Sequence, residues 1–105
     1  MNAVRNIFAG AGRRGRAEQF LTLCDNSALK IERIVSHGHR SPEGFWYDQA
    51  EDEWVMVLRG EATLEFAEGD LVEMNEGDFL LIPRRQKHRV RRTGGATVWP
   101  AIHIK

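Results

Sequence analysis

The sequence predicts an all-β domain, an antiparallel sandwich or barrel, and three observations support this fold class. About eight short apolar or alternating stretches follow residue 18, and turn-forming residues separate them at intervals of about eight to twelve. The chain has 105 residues, 42% of them apolar and 29% charged, which is typical of one globular domain. The segment 53–58 is apolar on both faces, which is typical of a barrel strand whose outer face packs against another sheet or another subunit.

The first sixteen residues predict a short irregular arm that precedes the barrel. Residues 9–15, "AGAGRRG", combine small and basic side chains and show neither the strand period nor the helix period. We therefore expect an N-terminal arm at 1–16 and one β-barrel domain at 17–105.

A hairpin and a long loop are expected in the first half of the domain. The strand-like stretches 18–24 and 29–35 flank "DNSA", four residues that favour a tight turn. The following residues, 36–52, contain two glycines and a proline and have no clean period. We expect a loop there, with a short extended piece at 45–49.

Further strand signals follow residue 52, and glycines or a proline end most of them. These signals lie at 53–59, 61–66, 71–74, 79–82, 87–93 and 97–104. In the first of them, Val55 and Val57 share one face, and Trp54, Met56 and Leu58 share the other. Because both faces need cover, we expect a homodimer that buries the outer one.

Charge and hydropathy argue against two classes of partner. The 15 acidic and 15 basic side chains cancel, so no global field attracts nucleic acid or a membrane surface. The basic run 84–92, "RRQKHRVRR", lacks interleaved aromatic residues and is typical of a solvated strand face. Apolar runs such as 79–82 are far too short to span a bilayer. We expect neither a nucleic-acid partner nor a membrane partner.

Cysteine usage bears on the compartment. Cys24 is the only cysteine in the sequence, so no internal disulfide can form. This is compatible with a reducing environment. We expect a cytoplasmic protein.

Two spacings between residues 53 and 88 carry the functional signal. In the first, Glu53 is followed after six residues by Gly60. In the second, Gly77 is followed after five residues by Pro83, and His88 stands five positions beyond the proline. The segment resembles the cupins, which are small double-stranded β-helix barrels of the jelly-roll type. The resemblance implies this fold for the domain.

The resemblance also implies that Glu53 and His88 point into the barrel. Strand alternation agrees, since an inward His88 places Val90 inside and leaves Lys87 and Arg89 in solvent. An inward carboxylate is costly unless it is paired or bound to a cation. We therefore predict that Glu53 and His88 are the catalytic or ligand-contacting pair.

The sequence departs from the pattern of metal-binding cupins, which place an H-x-H pair shortly before the glutamate. Tyr47 and Gln49 occupy those two positions. The remaining candidate ligands for a divalent ion such as Zn, Fe, Mn or Ni are Gln49, Glu53, His88 and His103. An H-x-H pair at His37 and His39 lies upstream, but its use would require the intervening loop to fold outward as an insertion.

Several functions remain open from sequence. In the first, a divalent metal in the barrel serves a metal-dependent enzyme as a Lewis acid or an oxygen-binding centre. Alternatively, Glu53 and His88 act without metal as a general acid and base on a bound carbonyl or sugar. In another, the same cavity belongs to a non-catalytic protein that recognises a small molecule through Tyr47, Gln49, Glu53 and His88. The last possibility is a structural dimer whose site has lost its function. Because these alternatives include both enzymes and non-enzymes, the sequence leaves the question of enzymatic activity open.

Overall fold

The computed structural model describes residues 2–12 and 17–105. Its regular structure consists of strands, and no helix occurs within those residues. The strands are β1 (Gln19–Asp25), β2 (Leu29–Ser36), β3 (Asp52–Met56), β4 (Ala62–Phe66), β5 (Leu71–Met74), β6 (Phe79–Ile82), β7 (His88–Thr93) and β8 (Thr97–Ile104).

The strands form two antiparallel sheets that face each other. The larger has the order β1-β2-β8-β3-β6, and the smaller has the order β5-β4-β7. Two isolated bridges, Tyr47 to His88 and Arg59 to Val98, lie outside these strand pairings. This confirms the predicted all-β, double-stranded β-helix fold. The described residues hold no helix suited in length and apolarity to crossing a membrane.

Alternation along β3 divides the barrel interior from its outer surface. Glu53, Val55 and the following Val57 are buried, whereas Trp54 and Met56 remain partly exposed. The buried valines join apolar side chains from both sheets in one core. The same alternation that buries the valines therefore turns the carboxylate of Glu53 inward.

Gly60 ends the first motif for a steric reason. Its φ is +90°, and an added Cβ would lie 2.5 Å from the carbonyl oxygen of Ala96 and 2.8 Å from Cα of Thr97. Any side chain would therefore collide with the start of β8. Gly77 has a φ of +89° and donates its N–H to the carbonyl of Val57 at 2.8 Å, which fixes the turn before β6.

The described part of the N-terminal arm packs on the outside of β2 and β8. Ala11 is buried against Val35 and Val98. The guanidinium of Arg33 donates to the carbonyls of Ile7 and Ala9. The arm therefore covers the outer face of β2, while residues 13–16 of the predicted arm lie outside the described residues.

A bulge in β7 interrupts the regular alternation of inward and outward side chains. The register with β4 shifts between Thr63 and Leu64, and Arg91 has no counterpart there. Arg91 and Arg92 are therefore both exposed, while Val90 is buried. Glutamates of the neighbouring chain segments accept from these arginines: Arg89 and Arg91 contact Glu65, and Arg92 contacts Glu61.

Candidate functional site

A cavity of about 50 Å³ lies between the two sheets. Apolar side chains such as Val55, Leu64 and Trp99 form much of its wall. A single water needs roughly 10–15 Å³ on the same scale, so the cavity has room for several atoms. The polar residues that line it are Glu18, Glu32, Tyr47, Gln49, Glu53, His88 and His103.

Glu53 and His88 meet inside this cavity. Glu53 lies near the start of β3 and His88 begins β7, and they are only 7% and 4% exposed. Nε2 of His88 lies 3.4 Å from Oε1 of Glu53. This distance is longer than a good N–H···O hydrogen bond, so both atoms can still contact a guest molecule.

The imidazole of His88 is held in a defined orientation. Its Nδ1 lies 2.9 Å from the backbone carbonyl of Gln86. A carbonyl only accepts, so Nδ1 carries a proton, and in the neutral ring Nε2 is an acceptor. The ring of Tyr47 stacks on the imidazole at a centroid distance of 5.4 Å, and Phe66 contacts it from a tilted position at 5.9 Å.

A second carboxylate–imidazole pair lies across the sheet from the first. His103 of β8 is the register partner of Glu53, and its Nε2 lies 2.9 Å from Oε1 of Glu32. The hydrogen bond from His103 lowers the pKa of Glu32, with a smaller contribution from Lys30. The same bond raises the pKa of His103, and the nearby charge of Glu53 adds to the effect.

Tyr47 is joined to His88 through the backbone as well as through ring stacking. Its N–H donates to the carbonyl of His88 at 2.7 Å, and its carbonyl accepts from the N–H of His88 at 3.1 Å. Burial raises the pKa of the Tyr47 phenol, and the charges of Glu18 and Glu53 raise it further. The phenol therefore keeps its proton and serves as a hydrogen-bond donor.

Gln49 contributes a side chain with an unmet hydrogen-bonding requirement. Its Oε1 is buried and has no partner among the described residues. Its backbone carbonyl accepts from the N–H of Arg85 at 2.8 Å. A buried acceptor without a donor costs about 1–3 kcal/mol, and a molecule that donated a hydrogen bond to this oxygen would recover that cost.

Arg85 occupies the position of the second motif where cupins usually have glycine. It retains the left-handed backbone that such a position requires, with a φ of +66°. Its guanidinium lies 3.3 Å from the carboxylate of Asp48. The ion pair and the bond to Gln49 hold this strained residue in place, and together they fix the loop that carries Gln49.

The other two histidines lie outside the cavity lining. Nδ1 of His39 accepts from the N–H of His37, and Nδ1 of His37 contacts the carbonyl of Gly95. Both rings therefore organise the loop after β2. Phe45 packs edge-on against Tyr47 at 4.8 Å, while Trp46 lies under the guanidinium of Arg89 at 4.5 Å.

Two carboxylates and one exposed aromatic residue in the lining were not among the site residues predicted from sequence. Glu18 and Phe20 come from the first strand region, and Glu32 comes from β2. A hydroxyl network holds Glu18, since its carboxylate accepts from Ser36, whose own hydroxyl accepts from Nε1 of Trp99 at 3.1 Å. Glu32 precedes Ile34 by two positions, so the two side chains share the inner face of β2.

The four predicted metal ligands line one cavity but do not form a metal centre. Nε2 of His103 is engaged by Glu32 rather than directed to Glu53. Across residues 2–12 and 17–105, no group of three or more His, Cys, Asp or Glu side chains is arranged to hold a metal ion. Catalytic metal sites commonly use three protein ligands, and within the described ranges no third His, Cys, Asp or Glu is arranged with Glu53 and His88 to complete such a set. The donor set does not fit a resident metal.

Fold and site together define a small double-stranded β-helix domain with a polar cavity between its sheets. The sequence profile described as "Cupin domain" matches residues 31–102, more than half of the chain. The chain therefore belongs to the cupin family. Among curated proteins, none matches the chain.

Solved structures include a protein that is similar over the whole chain. It comes from Ralstonia eutropha JMP134 and is named as a putative mannose-6-phosphate isomerase. It is 42% identical, with a TM-score of 0.93 and 99% of each chain covered. This similarity extends the match beyond the profile to both ends of the chain.

Two more distant structures share the fold. A cupin superfamily protein from Desulfitobacterium hafniense DCB-2 is 17% identical, with a TM-score of 0.75 over 88% of this chain and 81% of its own. An RmlC-like cupin from Methanocaldococcus jannaschii, with a double-stranded β-helix fold, is 16% identical. Its TM-score is 0.72, with 88% of this chain and 84% of its own covered.

Proposed function

We propose that this protein binds a small polar organic molecule in the barrel cavity without a resident metal. The observation that carries the proposal is that two carboxylate–imidazole pairs, Glu53–His88 and Glu32–His103, line one cavity with apolar walls. Buried polar groups that converge in an apolar pocket are the common pattern of small-molecule sites. The unpaired oxygen of Gln49 adds a further contact for the ligand.

Cavity size limits the ligand. The enclosed space of about 50 Å³ holds a fragment of a few heavy atoms. A larger molecule would have to extend out of the cavity. The recognised part of the ligand is therefore a small head group.

Proton-transfer catalysis is a second candidate. The name of the Ralstonia eutropha protein, a putative mannose-6-phosphate isomerase, favours it, because aldose–ketose isomerisation moves a proton between adjacent carbons. Either Nε2 of a neutral His88 or the carboxylate of Glu53 could take the proton from one carbon as the base, and the same group, then protonated, could return it to the adjacent carbon as the acid. These are the roles that the chain's own residues would perform without a metal.

We also propose that the protein is a homodimer formed through the outer face of β3 and β6. Phe79 and Leu81 are 65% and 52% exposed, and Trp54 lies beside them as the register partner of Leu81. β6 lies at an edge of the larger sheet and carries no charged side chain. An apolar edge invites pairing, and a second copy would cover it with the same surface.

A cytoplasmic location is part of the proposal. Cys24 is a free, exposed thiol. In an oxidising compartment, such a thiol would form disulfides between molecules. A reducing compartment keeps it in the thiol form.

The binding function is tested by a screen of small polyols, amines and hydroxycarbonyls against the purified protein. A bound ligand stabilises the folded protein by mass action and so raises its melting temperature. At a ligand concentration one hundred times Kd, the free energy of unfolding increases by about 2.7 kcal/mol. Glu53→Gln should abolish the shift, because it replaces one half of the buried pair. Glu61→Gln is the matched control, since Glu61 pairs with Arg92 on the surface.

The outcomes separate the two candidates. Ligands that bind Glu53→Gln as well as the wild type would contradict the assigned site. Exchange of a carbon-bound hydrogen of a bound hydroxycarbonyl into deuterated water, lost in His88→Gln, would establish proton transfer. Binding without exchange would leave the non-catalytic function.

A further inference from the structure

We propose that the ligand is a small organic cation whose head is a primary ammonium group, seated between Glu53, His88 and Gln49. This inference rests on the proposed binding function and adds the chemical class of the ligand. Two independent features of the cavity support it: three of its lining residues, Glu53, His88 and Gln49, carry acceptor atoms, and its charge is negative.

The first two acceptor atoms, Nε2 of His88 and Oε1 of Glu53, lie close together. Nδ1 of His88 donates to the carbonyl of Gln86, so in the neutral tautomer the lone pair is on Nε2, which lies 3.4 Å from Oε1 of Glu53. Two acceptors at this distance repel each other unless a donor lies between them or a proton is shared. An ammonium group has three N–H donors on one atom and can satisfy both.

A third acceptor stands in the same cavity. Oε1 of Gln49 is buried and has no donor among the described residues. The loop that carries it is fixed by the bond from Arg85 to the backbone carbonyl of Gln49. Three acceptors, from Gln49, Glu53 and His88, therefore match the three donors of a primary ammonium group.

The charge of the lining is negative. Glu18, Glu32 and Glu53 contribute carboxylates, and the imidazole of His103 offsets that of Glu32. Among the described residues that line the cavity, none is Lys or Arg. Lys30 is 3.9 Å from Glu32 but lies outside the lining, with 37% of its side chain exposed. Burial is the main cause of the raised pKa of Tyr47, and the charges of the same three carboxylates raise it further.

The aromatic lining also suits a cation. Phe20, Tyr47 and Trp99 are among the lining residues, and aromatic rings attract alkylammonium groups. A phosphate, by contrast, would meet carboxylates and no balancing cation. Arg89 and Arg91, which could bind an anion, lie on the outer side of β7 and contact Glu65. The ligand class therefore differs from the phosphorylated sugar in the name of the Ralstonia eutropha protein.

The test uses three probes of nearly equal size and different charge: 1-amino-2-propanol, 1,2-propanediol and lactate. Their affinities are measured from the NMR shifts of the imidazole protons of His88 and His103 at constant pH and ionic strength. We expect the amine to bind about tenfold more tightly than the diol, and lactate to cause no saturable shift. Equal affinities, or tighter binding of lactate, would overturn the inference and leave the binding function standing.

If none of the three probes shifts either histidine, the binding function fails together with the inference. A pair of variants then checks the seat of the ammonium group. Gln49→Met removes the unpaired oxygen, so the free protein should keep or raise its melting temperature while amine affinity falls about tenfold. Asn75→Met is the control, because the neutral Asn75 side chain is exposed and lies outside the cavity lining, and it should leave amine affinity unchanged. Unchanged affinity in Gln49→Met would contradict the assigned seat.

Discussion

At the scale of single residues, Glu32 and His103 hold each other in their charged forms. The hydrogen bond lowers the pKa of Glu32 and raises that of His103. A lowered carboxyl pKa gives stability above its ordinary value of 4.5, lost as the pH falls through the folded pKa. A raised imidazole pKa gives stability fully present below 6.5, lost as the pH rises through the folded pKa. The pair therefore stabilises the fold most between 4.5 and 6.5.

This window leads to a test by urea denaturation. His103→Gln should lower the free energy of unfolding by about 1–2 kcal/mol near the middle of the window, because a charge-assisted hydrogen bond is lost. The loss should shrink by at least half at about pH 9, where the wild-type imidazole is neutral. Glu32→Gln should give the same profile above pH 6.5, since it removes the other half of the pair. A destabilisation that grows with pH would contradict the assignment.

Only some of the site residues could be predicted from sequence. The spacing of the two motifs placed Glu53 and His88 correctly inside one barrel. Alternation in β2 would bury Ile31 and Val35 and expose Glu32. Glu32 instead lines the cavity, because the N-terminal arm covers the outer face of β2 and buries Val35 there. Sequence could not show this, since an arm without periodicity does not indicate where it docks.

At the scale of elements, the hairpins were predictable and the distant pairings were not. Tight turns specify the β1–β2 and β4–β5 pairs, and both form. β8 pairs with β2 and β3, partners far away in the chain. Such pairings depend on the closure of the whole barrel, and no local signal encodes them. Of the extended piece predicted at 45–49, the structure has one bridge residue, Tyr47, which pairs with His88.

The apolar outer face of β3 and β6 is the element on which the homodimer depends. Leu81 of β6 is 52% exposed beside Trp54. We expect a dimer for the wild type by light scattering at micromolar concentration and a monomer for Leu81→Glu. A charge placed in that interface would be desolvated without a partner, and this would prevent association.

A matched substitution on the other sheet controls for solubility. Leu71 of β5 is similarly exposed, at 56%, and lies in the smaller sheet. Leu71→Glu should remain dimeric. A monomeric wild type would remove the homodimer from the account, and dissociation by Leu71→Glu alone would move the interface to the smaller sheet.

At the scale of the whole molecule, the barrel brings together groups that are far apart in sequence. β3 supplies Glu53, β7 supplies His88, and the loop between β2 and β3 supplies Gln49. Both sheets therefore contribute to one polar cavity inside an apolar core. The cupin resemblance predicted this convergence, whereas the division into two separate carboxylate–imidazole pairs required the three-dimensional structure.

The central claim is that the cavity works through these pairs without a resident metal. Elemental analysis of protein purified without an affinity tag, together with its melting temperature in chelator, tests this most directly. We expect far less than one equivalent of any divalent ion and an unchanged melting temperature. A stoichiometric ion that chelator removes with a clear drop in melting temperature, and that is absent from the Glu53→Gln, His88→Ala double variant, would contradict the account.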